Sequence, residues 1–514
     1  MFESAELGHK IDKATYDNEV PKLREALLDA QFDLVAAKKF EVVILVGGVD
    51  GAGRSETVNL LNEWMDPRHI EVHGMGDPSD EERERPPMWR FWRALPPKGR
   101  IGVFMGSWYT WPILDYVYGK IDQGTFHDKI DRIVRFEKML VDEGAMVIKF
   151  WVHLSPEAQR KRLKALEKDP RTRWRVTKRD HTRLDMYQKF RDADEDALRM
   201  TSTAEAPWYI VEGADPRYRE LTVGKILLEA LRRRLDQQEI PRRASTAPPL
   251  LPSIDNLHVL KSLDLSHSLG KKEYERALEE QQARLALLTR DPLFNEISVV
   301  VVFEGNDAAG KGGSIRRITG ALDARQYQVI PIAAPTEEER AHPYLWRFWR
   351  HLSRHGRITL FDRSWYGRVL VERVEGFCPE ADWMRAYGEI NDFEDQLARH
   401  DTVVVKFWLA TSKDEQMRRF KEREQTGFKR YKITDEDWRN REKWDQYERA
   451  VCDMVERTST DYAPWTLVES NDKHYARIKV LRTLCDRIEA YLDERHKAMK
   501  KQDGDKDKGK AKTK

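Results

Sequence analysis

A glycine-rich segment in the second half of the chain has the residue types and spacing that bind phosphate groups. Residues 305–313 read GNDAAGKGG and follow a β-branched run at 299–303, which matches the G-x-x-x-x-G-K phosphate loop in its strand–turn–helix setting. Glycines let backbone N–H groups point at phosphate oxygens, and the start of the following helix adds a positive dipole end. We predict that the phosphate contacts come from Gly305, Ala309, Gly310, Gly312 and Gly313, and that Lys311 supplies a mobile catalytic charge.

Acidic residues near this loop are candidate metal ligands. The Ser or Thr that normally follows the lysine and binds Mg²⁺ is replaced by Gly312, so another group must hold the metal. Asp362 ends the next apolar strand at 358–361, as a Walker-B-like acid does. Asp307, inside the loop, is a second acidic contact to the metal or the acceptor. The pattern predicts metal-assisted phosphoryl transfer, with Arg363 beside the acid.

The chain contains the same domain twice. Trp89, which opens the motif WRFWR, corresponds to Trp346 in a second WRFWR 257 residues further on. The motifs GRI, SWY, KFW and APW also recur at this offset. Five motifs in constant register over more than a hundred residues indicate a duplication.

The first copy has lost the residues that would carry the chemistry. Its loop at 48–56 reads GVDGAGRSE, so Arg54 replaces the lysine and Glu56 places a negative charge where phosphate would bind. Met105 and Gly106 stand at the positions of the metal acid and its neighbouring arginine. Without the acid, metal-assisted transfer has no anchor. We predict that the first copy is catalytically inactive.

Aromatic residues that both copies keep are predicted to pack in the core, with nucleotide stacking as the less favoured alternative. Basic residues found only in the second copy are instead predicted to form a track for a long polyanion. The shared aromatic residues are Trp346, Phe348, Trp349, Trp365 and Tyr366. The copy-specific basic residues are Arg316, Arg317, Arg368 and Arg373.

A helix followed by a basic loop occurs where nucleotide kinases place a lid over the transferring phosphate. Arg418 lies in the helix, and Lys429 and Arg430 lie in the loop. We predict that these three residues bind phosphate, although solvated helix-surface charge is an equally good explanation for each one.

Each copy alternates β-branched runs with segments of helical spacing. This pattern predicts tandem α/β domains of the P-loop-kinase type, three-layered, each with a parallel sheet covered on both faces and a helical lid. The predicted organisation is a degenerate domain at 1–239, a Pro-rich linker at 240–258, a catalytic domain at 259–496 and a disordered basic tail at 497–514.

Composition excludes several classes of protein. The 90 basic and 88 acidic residues nearly cancel to a net charge of +2, which argues against a nucleic-acid-coating protein. No apolar run is long enough for a membrane span, and the first residues lack a secretory pattern. The only cysteines, Cys378, Cys452 and Cys485, lack metal-type spacing, so we expect reduced thiols in a cytoplasmic protein. A homo-oligomer is left open.

The motifs EGNDAAGKGG, DRSWYGR, ERVEGFC and KRYK resemble those of the polyphosphate kinase 2 family. The resemblance is full over about 265–495 and degraded over about 10–235. It implies a P-loop kinase that moves phosphate between inorganic polyphosphate and nucleotides with Mg²⁺. It places Asp307, Lys311, Asp362 and Arg363 in the catalytic centre, and Arg418 with the basic lid in phosphate binding.

Two fused copies with a degraded first one resemble the subgroup that makes ADP from AMP. The residue chemistry alone does not choose AMP over ADP or GDP as the acceptor. An ATP-dependent nucleotide kinase is an alternative, but a nucleoside triphosphate needs no arginine track beyond the loop. A non-catalytic polyanion-binding protein is another, and the intact set of Lys311, Asp362 and Arg363 argues against it.

Overall fold

The computed structural model describes residues 1–237, 259–427, 433 and 435–511. The predicted linker at 240–258 lies outside these residues. Within them, the chain forms two five-stranded parallel sheets with helices between the strands. The predicted tandem α/β architecture is confirmed.

The first sheet has the strand order β2-β3-β1-β4-β5, and all of its pairings are parallel. Its strands are β1 (Val42–Gly48), β2 (Ile70–Gly74), β3 (Ile101–Met105), β4 (Met146–His153) and β5 (Trp208–Glu212). The helices in this part of the chain are α1 (Lys13–Ala37), α2 (Arg54–Trp64), α3 (Asp80–Arg83), α4 (Trp89–Arg93), α5 (Thr110–Val117), α6 (Gln123–Asp142), α7 (Pro156–Lys168), α8 (Lys178–Asp185), α9 (Tyr187–Thr201) and α10 (Pro216–Asp236).

The second sheet repeats this topology in the order β7-β8-β6-β9-β10. Its strands are β6 (Ser298–Gly305), β7 (Tyr327–Pro331), β8 (Arg357–Asp362), β9 (Thr402–Ala410) and β10 (Trp465–Glu469). The helices are α11 (Lys271–Leu288), α12 (Lys311–Thr319), α13 (Glu337–Arg340), α14 (Trp346–Trp349), α15 (Val371–Glu375), α16 (Glu380–Ala398), α17 (Lys413–Gln425), α18 (Asp435–Glu442), α19 (Trp444–Thr458) and α20 (Lys473–Ala511).

The central strand β6 is buried on both faces, which explains its nearly continuous run of valines. On one face, Val299 and Val301 join a core with Leu285 of α11, Ile315 of α12 and Val480 of α20. The alternate residues of the sheet point to the opposite face, as the two-residue period of a strand requires.

A buried ion pair lies on that opposite face. Lys406 of β9 donates to Glu394 of α16 at 2.7 Å, to the hydroxyl of Tyr366 at 2.8 Å and to the carbonyl of Thr458 at 2.7 Å. The indole of Trp365 donates to the same carboxylate at 3.0 Å. This network explains why the tryptophan and tyrosine of the SWY motif recur: they pack in the core, as the sequence predicted, and they also hydrogen-bond to a buried carboxylate.

The first copy repeats the pair with equivalent residues. Lys149 donates to Glu137 at 2.6 Å and to the carbonyl of Thr201 at 2.7 Å. Because this copy has lost the lysine and acid of the phosphate loop but keeps the buried pair, we assign the pair to the fold and not to catalysis.

The chain divides into two compact units whose boundaries differ from the contiguous domains predicted from sequence. One unit comprises Met1–Pro78, Met88–Pro241 and Pro335–Arg347, and the other comprises Ser79–Pro87, Arg242–Ala334 and Phe348–Lys514. Segments 79–87 and 335–347 are equivalent by the 257-residue offset. Each of them belongs to the unit that is formed mainly by the other copy, so the two segments are exchanged. Within the second unit, for example, Arg354 pairs with Glu84 through two contacts of 2.5 and 2.8 Å. Sequence similarity between copies does not reveal which copy a segment packs in.

The last helix, α20, has the bounds Lys473–Ala511, which overlap the tail that composition predicts from residue 497.

The three cysteines have free thiols, as expected from their spacing. In the part of the chain that the structure describes, no helix is both long and apolar enough to cross a membrane.

Replacing Lys406 by Met is expected to lower the free energy of unfolding by about 3–5 kcal/mol, because Glu394 would stay buried without its cation. The equivalent change in the first copy, Lys149→Met, should have a similar cost. Urea unfolding followed by circular dichroism measures both. The double variant Lys406→Met/Glu394→Gln should recover much of the loss, and an unchanged midpoint in the single variants would contradict the assignment.

Candidate active site

The predicted phosphate loop and its acid lie side by side at one edge of the second sheet. Strand β6 ends at Gly305 and the neighbouring strand β8 ends at Asp362. Phe303 is in register with Asp362 across this parallel pair. Because the carboxyl ends of parallel strands meet at one edge, two residues 57 positions apart in sequence flank the same cleft.

The loop needs glycine where it leaves the strand and where it enters the helix. Gly305 has φ +146°, and a Cβ there would lie 2.4 Å from the carbonyl oxygen of Leu409. Gly310, with φ +114°, is the N-cap of α12. Lys311 is folded over the loop and donates to the carbonyls of Gly305 at 2.8 Å and Asn306 at 3.4 Å.

A buried arginine that the sequence did not single out holds this loop from behind. Arg419 of α17 is 2% exposed. It donates to the carbonyls of Ala308 at 2.9 Å and Ala309 at 3.0 Å, and to those of Ser470 at 2.5 Å and Asn471 at 2.9 Å. When the N–H groups of a loop face a ligand its carbonyls face inward, and Arg419 satisfies them. In sequence it is one of two adjacent arginines on a charged helix, with no local signal to distinguish them.

The first copy satisfies its loop with a different arginine. Arg219 of α10 is 3% exposed and donates to the carbonyl of Ala52 at 3.3 Å. Arg162, at the position equivalent to Arg419, is instead 41% exposed and lies 3.5 Å from Glu56. The contact with the loop is kept although the residue that makes it has moved to another helix.

The loop acid Asp307 is held by two side chains. Arg363 donates to one oxygen at 3.3 Å, and Asn440 of α18 donates to the other at 2.8 Å. Arg363 also donates to Glu436 at 2.9 Å. Burial opposes the charge of Arg363, but the carboxylates of Asp307 and Glu436 raise the pKa of its guanidinium. The structure therefore brings the side chains of Asp307 and Arg363 into contact, and adds Asn440, which the sequence analysis missed.

Asp362 is half-buried beside the start of α12. Its Oδ2 lies 4.0 Å from where a Cβ on Gly312 would be. In the described ranges, no cluster of three or more His, Cys, Asp or Glu side chains is suited to hold a metal ion. One or two carboxylates without a full protein cage fit a hard divalent cation whose remaining ligands are phosphate oxygens and water.

A buried carboxyl that the sequence analysis missed directly precedes the loop in sequence. Glu304 is 6% exposed and accepts a hydrogen bond from Ser364 at 2.8 Å. Burial raises the pKa of Glu304, while the charges of Lys311 and Arg363 oppose this shift. Its equivalent in the first copy is Gly47, so comparing the copies at this offset could have found it.

Two non-glycine residues of the site have left-handed backbone conformations. Ala308 has φ +61° and Arg363 has φ +64°. Their equivalents in the first copy are Gly51, with φ +82°, and Gly106, with φ +77°. Such conformations cost a side chain on the order of 1–3 kcal/mol and concentrate at functional sites. The strained residues are present only in the copy that keeps the lysine and the acid.

Three arginines from two helices cluster around the start of α12, the helix that follows the loop. Arg316 donates to the carbonyl of Gly312 at 3.2 Å, and Arg317 donates to that of Gly313 at 3.4 Å. Arg477 of α20 lies 3.3 Å from where a Cβ on Gly313 would be. The sequence predicted the first two and missed the third, although its equivalent in the first copy is Glu220, a reversal of charge.

The other predicted basic residues do not extend this cluster. Arg368 is largely buried and pairs with Glu372 at 2.9 Å. Arg373 pairs with Asp453 at 2.7 Å. Both charges are balanced by nearby carboxylates: Glu372 is four residues from Arg368, whereas Asp453 is distant in sequence from Arg373, so spacing could not reveal the second pair.

The predicted lid is described only in part. Arg418 is 60% exposed and pairs with Glu415 at 2.7 Å. Lys429 and Arg430 lie outside the described residues.

The equivalent site of the first copy is arranged differently. Arg54, at the lysine position, lies 2.5 Å from Asp50 of its own loop. The hydroxyl of Ser55 lies 3.5 Å from the sulfur of Met105, which occupies the position of the acid. Arg54 is thus paired with the carboxylate of Asp50, and the thioether of Met105 stands where the second copy has Asp362, the predicted metal ligand.

Known proteins resemble the chain along almost its whole length. The family model described as Polyphosphate kinase 2 (PPK2) matches residues 10–239 and again residues 268–496. A polyphosphate:AMP phosphotransferase from Pseudomonas aeruginosa is 61% identical over 490 residues, which are 95% of this chain and 99% of that protein. Another from Acinetobacter johnsonii is 38% identical over 478 residues, 91% of this chain and 96% of that protein. A solved Pseudomonas aeruginosa structure assigned to polyphosphate kinase 2 has a TM-score of 0.87 and 58% identity, and the match covers 96% of this chain and 99% of that one.

Replacing Arg419 by Met is expected to lower the free energy of unfolding by at least about 2 kcal/mol, because several buried carbonyls lose their donor. The control is Arg162→Met at the equivalent, exposed position, where the change should stay within about 0.5 kcal/mol. Chemical denaturation of both variants measures the difference. Equal effects in the two variants would contradict the role of Arg419.

Proposed function

The chain belongs to the polyphosphate kinase 2 family, and we propose that its second copy transfers the terminal phosphoryl group of inorganic polyphosphate to AMP, giving ADP. The observation that carries this proposal is the cleft of the second copy, where Lys311, Asp362 and Arg363 surround an intact phosphate loop. Relatives named polyphosphate:AMP phosphotransferase match nearly the full length of the chain and support AMP as the acceptor. The residue chemistry alone does not choose between AMP and a nucleoside diphosphate.

Phosphoryl transfer spreads negative charge over the moving group, so the protein must supply positive charge in fixed positions. We assign this role to Lys311, to the N-terminus of α12 and to Arg363. Arg363 is held between Asp307 and Glu436. Its guanidinium is therefore positioned before substrate binds and needs little reorganisation during transfer.

The carboxylates at the cleft suit a divalent cation, and we propose Mg²⁺. Asp362 is the primary ligand in this proposal. Asp307 already accepts one hydrogen bond on each oxygen, and its remaining lone pairs are available for a second contact. When bound, the cation neutralises charge on the phosphate oxygens.

We place the polyphosphate chain along the start of α12, where Arg316, Arg317 and Arg477 lie around Gly312 and Gly313. This path is shorter than the one expected from sequence, because Arg368 and Arg373 are largely buried and paired with carboxylates. Arg418, Lys429 and Arg430 remain candidates for closing over the transferring phosphate.

Lys311→Ala and Asp362→Asn are each expected to lower kcat by at least about 10²-fold, the scale of a lost electrostatic contact to the transition state. The matched control is Arg54→Ala in the first copy, which should leave turnover within about threefold because no metal acid stands beside it. Steady-state assays with AMP and polyphosphate, together with melting temperatures, measure these effects. A folded Lys311→Ala enzyme with most of its activity would refute the assignment, and a large kcat loss in Arg54→Ala would place catalysis in the first copy.

The KM for polyphosphate is expected to rise steeply with added salt, because its contacts are electrostatic. The KM for AMP should rise less, since part of its binding energy comes from the base. Arg477→Ala should raise the polyphosphate KM about two- to fivefold, the size of an exposed charge pair, with little change in the AMP KM. Transfer from ATP but not from polyphosphate would overturn the proposed donor, and activity only with ADP or GDP would overturn the acceptor.

A further inference from the structure

Arg363 occupies its place in the active site with an unfavourable backbone conformation. Its φ of +64° is left-handed, and a residue with a side chain keeps such a conformation only where the surrounding contacts enforce it. The contacts of Arg363 with Asp307 and Glu436 are made by the guanidinium, at the far end of the side chain. The backbone of this turn therefore needs contacts of its own.

Two hydrogen bonds join this turn to the end of β6. The backbone N–H of Arg363 donates to the carbonyl of Phe303 at 3.0 Å. The hydroxyl of the next residue, Ser364, donates to the carboxylate of Glu304 at 2.8 Å. Ser364 is 1% exposed and Glu304 is 6% exposed, so this second bond is shielded from water, where a hydrogen bond is electrostatically stronger. The turn is thus attached to the strand once through the backbone and once through Glu304.

The first copy has lost the acid and the strained arginine together. Gly47 stands at the position of Glu304, and Gly106 stands at that of Arg363. A Cβ on Gly47 would lie 2.9 Å from the ring of Trp151, so the space for an acid is filled. Glycine adopts a left-handed conformation about as readily as a right-handed one, and a turn with glycine at this point needs no further contact to enforce it.

The serine of this turn is kept in both copies for another reason. The oxygen of Ser364 accepts from the N–H of Tyr366 at 3.3 Å, and the oxygen of Ser107 accepts from that of Tyr109 at 3.5 Å. Both serines therefore stabilise the start of the next turn, whether or not an acid is present. The bond to Glu304 has no counterpart in the first copy, where glycine stands at the position of the acid.

We propose that Glu304 is a positioning residue that acts through Ser364 to hold the turn on which Arg363 presents its guanidinium to the transferring phosphoryl group. This inference rests on the transfer reaction proposed for the second copy. Burial raises the pKa of Glu304, while the charges of Lys311 and Arg363 oppose this shift. The bond from Ser364 does not require an ionised acid, because a protonated carboxyl keeps the capacity to accept.

The test measures kcat and both KM values in full-length variants. Glu304→Leu removes the acceptor and should lower kcat at least about tenfold, because a small displacement of a catalytic group costs much of its effect. The KM for polyphosphate and the KM for AMP should each stay within about threefold, since Arg363 acts on charge that develops during transfer. Glu304→Gln keeps an acceptor on a side chain of the same length and should retain kcat within about threefold. A lower melting temperature with unchanged kcat in Glu304→Leu would show a purely structural residue and overturn the proposal.

The serine provides a smaller change and a matched control. Ser364→Ala removes the donor and should lower kcat to a similar extent as Glu304→Leu. Ser107→Ala removes the same turn contact in the copy that has no acid, and it should leave kcat unchanged. In the double variant Glu304→Leu/Ser364→Ala, the loss should exceed the larger single loss by no more than about twofold, because both changes break one bond.

A different pattern would assign Glu304 another role. Additive losses in the double variant would show that Glu304 acts independently of Ser364. A loss in Glu304→Gln as large as that in Glu304→Leu, with Ser364→Ala at the level of the unaltered chain, would show that the charge of Glu304 matters and not its hydrogen bond. Either result would overturn the proposal.

A crystal structure of Glu304→Leu reports the position of Arg363 without reference to the reaction. We expect the guanidinium to leave Asp307 and the backbone to move away from a φ of +64°. An unchanged Arg363 would refute the positioning role even if kcat falls. Turnover of the unaltered chain with AMP and polyphosphate, measured in parallel, shows separately whether the proposed transfer reaction holds.

Discussion

The active site depends on one buried contact, the guanidinium of Arg419 against the inward-facing carbonyls of the phosphate loop. A loop that presents its N–H groups to phosphate must turn its carbonyls toward the protein, where each needs a donor. A single guanidinium can satisfy several carbonyls because its donors form a rigid fork. The first copy shows that the fold requires this contact even without catalysis, since Arg219 reaches the equivalent carbonyl of Ala52 from another helix.

The second constraint is the balance of charge around the loop. Arg363 is held between Asp307 and Glu436, and Glu304 is buried beneath the loop and close to Lys311. These acids keep the cations in place without an excess of local charge that would destabilise the fold. The backbone at Ala308 and Arg363 is left-handed, an unfavourable conformation that the surrounding contacts hold in place. The first copy has glycine at both positions, and the strain is absent.

The two copies show how one fold separates stability from function. The buried lysine–glutamate pairs are present in both, with nearly equal distances of 2.6 and 2.7 Å. The residues at the carboxyl edge of the sheet have diverged, because that edge is formed by loop ends that the core does not constrain. In the second copy this edge carries Lys311, Arg363 and the carboxylates of Asp307 and Asp362. In the first copy the same edge encloses a largely apolar cavity.

The sequence alone determined the duplication, the parallel α/β architecture, the phosphate loop with Lys311, the acid Asp362 and the loss of both in the first copy. The duplication is readable because five motifs recur at one constant offset, and the site residues are readable because each depends on residue type at short, fixed spacing next to a strand end. Only the tertiary structure decided that Arg419 and not Arg418 holds the loop, since its carbonyl partner Ala308 is 111 residues away. The same holds for Asn440, 133 residues from Asp307, for the pairing of Arg373 with Asp453, and for the exchanged segments. Whether a charge is balanced, buried or exposed depends on neighbours distant in sequence, so spacing along the chain does not reveal it.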